Sequence, residues 1–282
     1  MKESLEELIF SSRDTLPAKV SWSKRSTWTK TRLLWHTEWE FHLIKQGKGA
    51  YFIKDRRHNF SANSLILIAS REMHNCIPHP NTRIDKGSLF LKDGMVYALV
   101  GKTFSSLNNN RAFRLNEKES TQVEFLFEKI VHEQKHQEHL WQEIVKSTLT
   151  TFLFMAARFN QRIAPLPDEN RLDQKVLEYI ERSFSSSIPL ATIARDCSCS
   201  MASLFTSLKH STGLTPKQYI LQRRIIEAKK ILLEEPQKKV SAIASQVGFS
   251  DFALFNRSFK NFTGISPSAY RKISHQNNNN YY

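Results

Sequence analysis

The chain has 282 residues, of which 40% are hydrophobic, and its formal net charge is +14. This composition excludes a disordered chain, and the length suits two domains better than one small core. No run approaches the ~20 apolar residues of a membrane helix, so we expect a soluble, cytoplasmic protein. Three cysteines (Cys76, Cys197 and Cys199) give no disulfide framework, which is typical of a reducing compartment. The basic charge is spread over both halves of the chain and favours a polyanionic partner only weakly.

Residues 33–100 show the short alternating or wholly apolar runs that are typical of β-strands. From Glu117 to Asn160 the apolar spacing changes to that of amphipathic helices, either two helices joined near His139–Leu140 or one long helix. The apolar side of this helical segment is a candidate dimer interface. Its residues are Phe125, Ile130, Leu140, Ile144, Leu149 and Phe152.

Within the helical segment, VHEQKH at 131–136 matches the H-E-x-x-H pattern, in which two histidines bind zinc and the glutamate activates water. The surroundings do not suit a zinc protease, because His132 and His136 lie among charged residues and no suitably spaced third histidine follows. We therefore interpret the motif as part of a solvated helix face. We expect no catalytic residues, no resident metal and no cofactor in this chain.

The proline-bearing polar stretch APLPDEN at 164–170 predicts a domain boundary. We expect a β-rich domain at 1–115, a helical dimerisation or linker segment at 116–162, a linker at 163–170, a helical domain at 171–275 and a disordered tail at 276–282.

After this boundary the chain repeats itself. LFTSLKHSTGLTPKQY at 204–219 aligns with FNRSFKNFTGISPSAY at 255–270, and Ile193-Ala194 recurs as Ile243-Ala244. A repeat of this detail indicates that one supersecondary unit is used twice.

Each copy has the pattern of a helix-turn-helix. In the second copy Ile243 and Val247 face inward on a short helix, Gly248 ends that helix in a left-handed conformation, and Asp251 caps the next helix. Ser198 replaces the glycine in the first copy, which costs about 1 kcal/mol if the conformation is left-handed. The second helix of this copy has an apolar stripe formed by Leu254, Phe255, Ser258, Phe259 and Phe262.

A helix is predicted between the two copies, over residues 215–236. Thr215 caps it, Pro216 occupies its first position and Pro236 ends it. About 18 residues at roughly 1.5 Å each span some 27 Å, somewhat less than the ~34 Å of one DNA turn. Such a connector would hold two recognition helices on one face of a duplex that bends to meet both.

The second copy reads A-x3-VGF-x-D-x3-F-x-R-x-FK-x3-G-x-SP-x2-YR. With this signature, residues 172–272 resemble the DNA-binding domain of the AraC/XylS-type bacterial transcription regulators. The resemblance implies an α+β fold: an N-terminal cupin-like β-barrel plus helices, and a C-terminal all-α domain with two helix-turn-helix units joined by a long helix. It also implies a homodimer, partners that include double-stranded DNA, RNA polymerase and a small-molecule effector such as a sugar, and a cytoplasmic, nucleoid-associated location.

EFHLIKQG at 40–47 and NSLILIASREMH at 63–74 are similar to the two cupin motifs of the sensor domain of this family. In metal-binding cupins three histidines and a glutamate are usual, and Glu38 replaces one histidine here, which favours organic-ligand contacts or structural roles over a metal. The resemblance implies an effector site near His36, Glu38, Trp39, Glu40 and His74. The aromatic residues Trp35, Trp39, Phe41 and Phe52 either line an apolar pocket or fill the barrel.

The candidate base-reading residues of the second recognition helix are Phe252, Ala253, Asn256 and Arg257. Arg257 can bind guanine and Asn256 adenine, each through two hydrogen bonds, although Arg257 could instead clamp a phosphate or form an internal ion pair. The equivalent positions of the first copy are unusually apolar: Met201, Ala202, Phe205 and Thr206. They suit thymine methyl groups, unless Phe205 belongs to the core.

Phosphate contacts position a protein on DNA without specifying sequence. We assign them to Lys209, Lys260, Arg271 and Lys272, together with the capping residues Ser200 and Asp251.

The sequence therefore predicts a sequence-specific DNA-binding transcription regulator that responds to a small molecule bound in the N-terminal barrel. One alternative is a ligand-independent regulator whose barrel only dimerises, and another is a metal-dependent cupin enzyme. The residues identify neither the effector, nor the operator, nor the direction of regulation.

Overall fold

The computed structural model describes residues 18–25, 32–54, 56–101, 112–161 and 172–272. These residues form two compact units. The strand unit comprises the described residues up to 161 except 32–34, and the helical unit comprises 32–34 and 172–272. The predicted linker at 163–170 and the predicted tail at 276–282 lie outside the described residues. Within the described residues, no helix has the length and apolar character needed to cross a membrane.

The strands of the described chain form two antiparallel sheets. Their bounds are β1 (Ala18–Arg25), β2 (Glu38–Gln46), β3 (Gly49–Ile53), β4 (Arg56–Phe60), β5 (Ser64–Ile68), β6 (His74–Pro78), β7 (Ile84–Lys92) and β8 (Ala112–Arg114). The larger sheet has the order β1-β7-β2-β5-β8, and the smaller sheet has the order β4-β3-β6. Together with the helices described below, these sheets confirm the predicted α+β class.

Strand β2 shows how the larger sheet acquires two different faces, since successive side chains of a strand point to opposite sides. Phe41 and Leu43 enter the core that the sheet forms with helices. Ile44 instead joins the core formed with residues of the smaller sheet. Glu40 and His42 share the alternation of Ile44, and both are buried. A polar pair is therefore placed between the two sheets.

Three helices complete the strand unit: α1 (Asp93–Val100), α2 (Glu117–His136) and α3 (Trp141–Gln161). The prediction of β-structure up to residue 100 is wrong for α1, because a short apolar run such as residues 95–100 does not distinguish a strand from a buried helix. Of the two alternatives for residues 117–160, the structure shows two helices. Gln137, in the left-handed conformation with φ 51°, ends the first of them.

The packing of α2 and α3 corrects the predicted dimer interface. Ile130, Leu149 and Phe152 are fully buried in the same core as residues of the larger sheet, so they are not available to a second copy. Phe125 is 62% exposed and Leu140 is also exposed. The apolar spacing predicted the helices correctly, but it did not show which stripe packs on the sheet. The helical segment thus shares the core of the strands and does not form a separate linker.

The helical unit contains the helices α4 (Leu172–Ser183), α5 (Leu190–Asp196), α6 (Met201–Thr212), α7 (Pro216–Glu234), α8 (Val240–Gln246) and α9 (Phe252–Thr263). Its last described residues, 267–272, are also helical. The pairs α5–α6 and α8–α9 are the two helix-turn-helix copies. Helix α7 is the predicted connector, and its 19 residues span about 28 Å at roughly 1.5 Å each. Thr215 and Gln218 form a capping box at its start, so the predicted cap is confirmed.

The turns of the two copies have the same backbone conformation. Ser198 has a φ of 54° and Gly248 a φ of 96°, so both are left-handed. The residue after each left-handed residue donates its backbone N–H to a carbonyl of the preceding helix. Cys199 donates to Ala194 at 2.9 Å, and Phe249 donates to Ala244 at 3.0 Å. A Cβ on Gly248 would also overlap the carbonyl oxygen of Ser185. The second copy therefore requires glycine for space as well as for φ.

The second copy has its own apolar core, in which Phe255 and Phe259 of α9 are fully buried. Phe262 packs against this core from the side. Leu254, which the sequence predicted to belong to the same stripe, is 46% exposed. That assignment is wrong because Leu254 directly precedes Phe255, and consecutive residues of a helix point about 100° apart.

Substitutions at the two turns test the left-handed conformation. Gly248→Ala should lower the free energy of unfolding by more than about 1 kcal/mol, because a left-handed residue with a Cβ is strained and this Cβ also overlaps Ser185. Ser198→Gly should raise it by up to about 1 kcal/mol, since the same strain is relieved. Urea unfolding followed by circular dichroism at 222 nm measures both. A Gly248→Ala variant as stable as the parent would contradict the turn geometry.

Candidate nucleic-acid interface and effector site

Helix α9 has an outward face on the side opposite its buried phenylalanines. Phe252, Ala253 and Arg257 are exposed, and Asn256 is half-buried. Within the described residues Arg257 makes no hydrogen bond or ion pair, so the alternative of an internal ion pair has no support there. Ala253 and Arg257 therefore lie on the side opposite the buried phenylalanines. Phe252 lies on the side of Phe255, with the two ring centroids 6.2 Å apart, and is accessible because it begins the helix.

Helix α6 has a corresponding outward face of different chemistry. Leu204 and Leu208 are fully buried, whereas Phe205 is 37% exposed. Phe205 is therefore not buried in the core as Leu204 and Leu208 are. Met201 is 41% exposed, and Ala202 and Thr206 are exposed as well.

The predicted phosphate-binding residues fall into two groups. Lys209, Lys260 and Lys272 are exposed. Arg271 is half-buried, and its Nη2 donates a hydrogen bond to the backbone carbonyl of Lys238 at 2.6 Å. The guanidinium of Arg271 thus has a structural role at the start of the second copy, beyond any contact with DNA.

The capping residues show what their side chains do within the protein. The hydroxyl of Ser200 accepts the backbone N–H of Ser203, and the carboxylate of Asp251 accepts those of Ala253 and Leu254 at 2.7 and 3.2 Å. A carboxylate carries the same sign of charge as a phosphate, so the assignment of Asp251 to a phosphate contact is wrong. Its role is to start α9, as the capping pattern also predicted.

A second group of functional side chains lies between the two sheets of the strand unit. Residues Glu38, Glu40 and His42 share one face of β2, His36 precedes this strand, and His74 begins β6. Nε2 of His36 is 2.8 Å from Oε1 of Glu40, and Nε2 of His74 is 3.6 Å from Oε2 of Glu40. Nδ1 of His36 is 3.4 Å from a Glu38 oxygen. The structure therefore brings together four of the five predicted effector residues.

Trp39 is the predicted effector residue that does not join this group. It alternates with Glu40 along β2 and enters the core on the opposite face of the sheet. Its indole Nε1 donates to Oδ1 of Asp93 at 2.7 Å. Trp39 therefore fills the core beneath the helices, and its assignment to the effector site is wrong.

His42 belongs to the cluster but was missed from the sequence. Its Nε2 is 2.7 Å from Oε2 of Glu40 and its Nδ1 is 2.8 Å from the hydroxyl of Ser88. A carboxylate only accepts, so in neutral His42 Nε2 carries the proton and Nδ1 accepts from Ser88. Because side chains two residues apart on a strand point to the same face, the assignment of Glu40 to the cluster could have identified His42 as well.

Burial and neighbouring charge give the three histidines different protonation states. Burial opposes charge on His36, but the Glu40 carboxylate and the contact with Glu38 outweigh it and raise the pKa of His36 to about 10. Burial lowers the pKa of His42 to about 4, with a contribution from Lys86, and burial also lowers that of His74 to about 4. The cluster thus holds one imidazolium beside neutral imidazoles.

His74 presents an unused nitrogen to the cluster. Its Nδ1 lies 2.9 Å from the backbone carbonyl of Glu72, which can only accept, so the proton of the neutral ring is on Nδ1. Nε2 is then a lone-pair acceptor, and it is buried without a hydrogen-bond partner in the described chain. Both ring nitrogens of His36 also lack well-aligned hydrogen bonds, despite their short distances to carboxylates. Buried atoms of this kind indicate a binding site, because unsatisfied polar groups are costly.

His36, Glu40 and His74 together could also hold a metal ion. Each offers one ligand atom, and these three atoms lie within 4.8 Å of one another. Two imidazoles and a carboxylate are suitable donors for a transition metal. The high pKa of His36 opposes this use, because the ion would have to displace its proton.

The H-E-x-x-H motif of α2 is separate from this cluster. His132 and His136 are exposed, and their ring centroids are 4.2 Å apart. In the described part of the chain they belong to no group of three potential metal ligands. The geometry agrees with the interpretation of a solvated helix face.

Comparison with known proteins gives one family match in each half of the chain. Residues 193–273 match the family described as a helix-turn-helix domain, and residues 23–97 match the AraC-like ligand binding domain. These domains define a two-domain transcription regulator. The chain belongs to the AraC type of these regulators.

The chain is also similar to individual known proteins. The chain is 24% identical over 247 residues to the HTH-type transcriptional activator RhaR of Salmonella dublin, an alignment that covers 86% of this chain and 87% of that protein. It is 38% identical over 98 residues to the Msm operon regulatory protein of Streptococcus mutans, about a third (35%) of each chain. The crystal structure of ToxT from Vibrio cholerae is 15% identical, with a TM-score of 0.38 and coverage of 91% of this chain and 98% of that one.

The stability of the strand unit should decrease both when the pH falls below neutrality and when it rises above neutrality. An unfolded imidazole titrates near pH 6.5. His42 and His74, whose pKa is lowered to about 4, stabilise the fold above pH 6.5, and this contribution is lost as the pH falls towards 4. His36, whose pKa is raised to about 10, stabilises it below pH 6.5, and this contribution is lost as the pH rises towards 10.

Tryptophan fluorescence during urea unfolding measures this pH dependence, since all five tryptophans precede residue 142 and so report on the N-terminal part of the chain. We expect the highest stability near neutral pH. Equal stability at pH 4.5 and pH 7 would contradict the assignment of neutral, buried imidazoles.

Proposed function

We propose that this protein is a sequence-specific DNA-binding regulator of transcription that binds one duplex through α6 and α9. The observation that carries the proposal is the repeated turn geometry, which presents an exposed recognition helix in each copy. The named relatives are an activator and an operon regulator, which supports regulation of transcription, in the direction of activation, rather than catalysis. Activation would bring RNA polymerase in as a partner, in the cytoplasm at the nucleoid.

Base recognition by the second copy rests on Arg257 and Asn256. The side chain of Arg257 is exposed and makes no hydrogen bond or ion pair among the described residues, so two parallel donors are available for O6 and N7 of guanine. Asn256 lies one residue earlier, is half-buried at the edge of this face, and can pair with adenine. Phe252 and Ala253 begin the helix and complete its reading surface by apolar contacts.

The phosphate contacts would come from residues at the ends of the recognition helices and beyond them. Lys209 and Lys260 occupy equivalent positions near the C-termini of α6 and α9, and Lys272 follows α9. Ser200 lies at the N-terminus of α6, where backbone N–H groups favour an anion. Arg271 can contribute only through the part of its guanidinium that does not donate to Lys238.

The effector would bind at the polar cluster of His36, Glu38, Glu40 and His74. The lone pair on Nε2 of His74 and the Glu40 carboxylate accept hydrogen bonds, whereas protonated His36 donates them. A hydroxyl-bearing molecule, a sugar or a similar compound, uses both kinds of partner. A resident transition metal on the same side chains is the second candidate, supported by the three donor atoms within 4.8 Å.

A homodimer would form through the outward side of α2 and α3. Its candidate residues are now the exposed apolar side chains Phe125, Leu140 and Phe154. Unlike the buried Ile130, Leu149 and Phe152, these side chains are accessible to a second copy. Effector binding in the same unit would alter how two copies present their helices to DNA.

Substitution of Arg257 separates base recognition from phosphate binding. Arg257→Ala should relax the preference for one base pair by roughly 1–3 kcal/mol, because a two-bond contact to guanine is lost. Lys260→Ala, the matched control, should weaken binding to all sequences evenly. It should also reduce the slope of log K against log[salt] by about 1, because one phosphate contact is lost. Selection from random duplex DNA followed by titration at several salt concentrations measures both. Equal, sequence-independent losses in the two variants would contradict the assignment of Arg257.

The effector assignment is tested with His74→Asn, in which the amide can still donate to the Glu72 carbonyl while the Nε2 lone pair is removed. A panel of monosaccharides should include one that raises the melting temperature of the parent, as followed by tryptophan fluorescence, and this rise should be lost in His74→Asn. The exposed His79→Asn is the control and should keep it. About one equivalent of zinc or nickel in protein purified without added metal would instead support the metal alternative.

The dimer assignment predicts that Phe125→Glu combined with Phe154→Glu gives monomers in sedimentation velocity, because two exposed apolar contacts become like charges across the interface. Tyr97→Glu changes an exposed aromatic residue of α1 and should leave the dimer intact. A double variant that sediments as the parent does would contradict the interface.

A further inference from the structure

The two recognition helices have the same frame but present different chemistry. Ser200 and Asp251 cap them, Gly213 and Gly264 end them in left-handed conformations, and a lysine lies four residues before each of these glycines. With the copies aligned on their caps, Phe205 and Thr206 of α6 occupy the positions of Asn256 and Arg257 in α9.

The first two turns of α6 contain no group that can make a two-bond contact to a base. From Met201 to Leu208 the sequence is MASLFTSL, which has no charged or amide side chain. Its largest exposed side chains are Phe205, at 37%, and Met201, at 41%. Both remain accessible although Leu204 and Leu208 of the same helix are fully buried, so the exposure does not result from a loosely packed helix.

The major groove offers one apolar group, the C5-methyl of thymine. We propose that α6 recognises thymine methyl groups through Phe205 and Met201, so that the half-site under α6 is defined by thymines and the half-site under α9 by hydrogen-bonded bases. This inference rests on the proposed function and names the base chemistry of its first reading helix.

Duplex DNA is the occupant that the repeat favours over a protein partner. Phe205 lies at the helix position where the second copy presents Asn256, and Met201 lies where it presents Phe252. Lys209 follows Phe205 in α6 as Lys260 follows Asn256 in α9. A patch placed for a protein partner would have no reason to coincide with the reading positions of the repeat. The lysine supplies a phosphate contact beside the apolar contact.

Replacement of thymine by deoxyuridine tests the proposal, because it removes only the methyl group and keeps the base pair. The probe is the duplex that the full-length protein selects from random DNA, with each thymine replaced singly and with its affinity measured at fixed salt. Loss of one buried methyl contact should weaken binding about three- to fivefold at one or more thymines of the α6 half-site.

The protein variants assign this sensitivity to α6. Phe205→Ala should bind the thymine and deoxyuridine duplexes equally, and Phe205→Leu, which retains an apolar side chain, should keep part of the difference. Asn256→Ala, at the equivalent position of α9, should keep the full deoxyuridine effect in the α6 half-site. Circular dichroism confirms that each variant is folded.

Two negative results have different meanings. If the parent binds its selected duplex but tolerates deoxyuridine at every thymine, or if Phe205→Ala keeps the full deoxyuridine effect, the thymine proposal is overturned while DNA recognition stands. If the parent selects no duplex sequence at low salt, the proposed function itself fails.

Discussion

The DNA-binding geometry depends on one backbone constraint, the left-handed residue between the helices of each helix-turn-helix. At Ser198 and Gly248 the chain reverses within a few residues and returns an N–H to the preceding helix. A right-handed residue at either position would continue the first helix and direct the second one elsewhere. The exposure of the α6 and α9 reading faces, and therefore every proposed base contact, follows from this turn. The first copy maintains the conformation with serine, so its packing must offset a strain of about 1 kcal/mol.

The strand unit depends in a similar way on strand β2, whose side chains point alternately to the two faces of the larger sheet. Its odd-numbered residues from Trp39 to Leu43 belong to the core beneath the helices, and its even-numbered residues place Glu40 and His42 between the two sheets. A buried carboxylate at this position holds the charge on His36, whereas burial keeps the other histidines neutral. The site thus combines donors and acceptors within a few ångströms, which is the arrangement that a polar ligand requires.

The sequence predicted the helical unit in more detail than the strand unit, for a physical reason. Each helix-turn-helix is local, so its caps, its left-handed turn and the buried residues Ile243 and Phe255 follow from short-range spacing. Errors occurred where distant segments decide burial. The spacing of apolar residues in α2 and α3 could not show that Ile130 and Leu149 pack on a sheet.

The same limit applies to individual side chains of the candidate sites. The cluster of His36, Glu40 and His74 was predicted through a resemblance, because its members come from separate strands. Trp39 was assigned to the wrong face, and His42 was overlooked, although alternation along β2 distinguishes them once Glu40 is known to point between the sheets. Leu254 shows that a one-residue shift in a helix is enough to exchange buried and exposed positions.

Hydroxyl-radical footprinting of the full-length protein on its selected duplex tests the central claim most directly. Two recognition helices held apart by α7 should protect two windows on one face of the DNA, with centres about one helical turn, or roughly 10 base pairs, apart. A single protected window, or two windows on opposite faces of the duplex, would contradict the account.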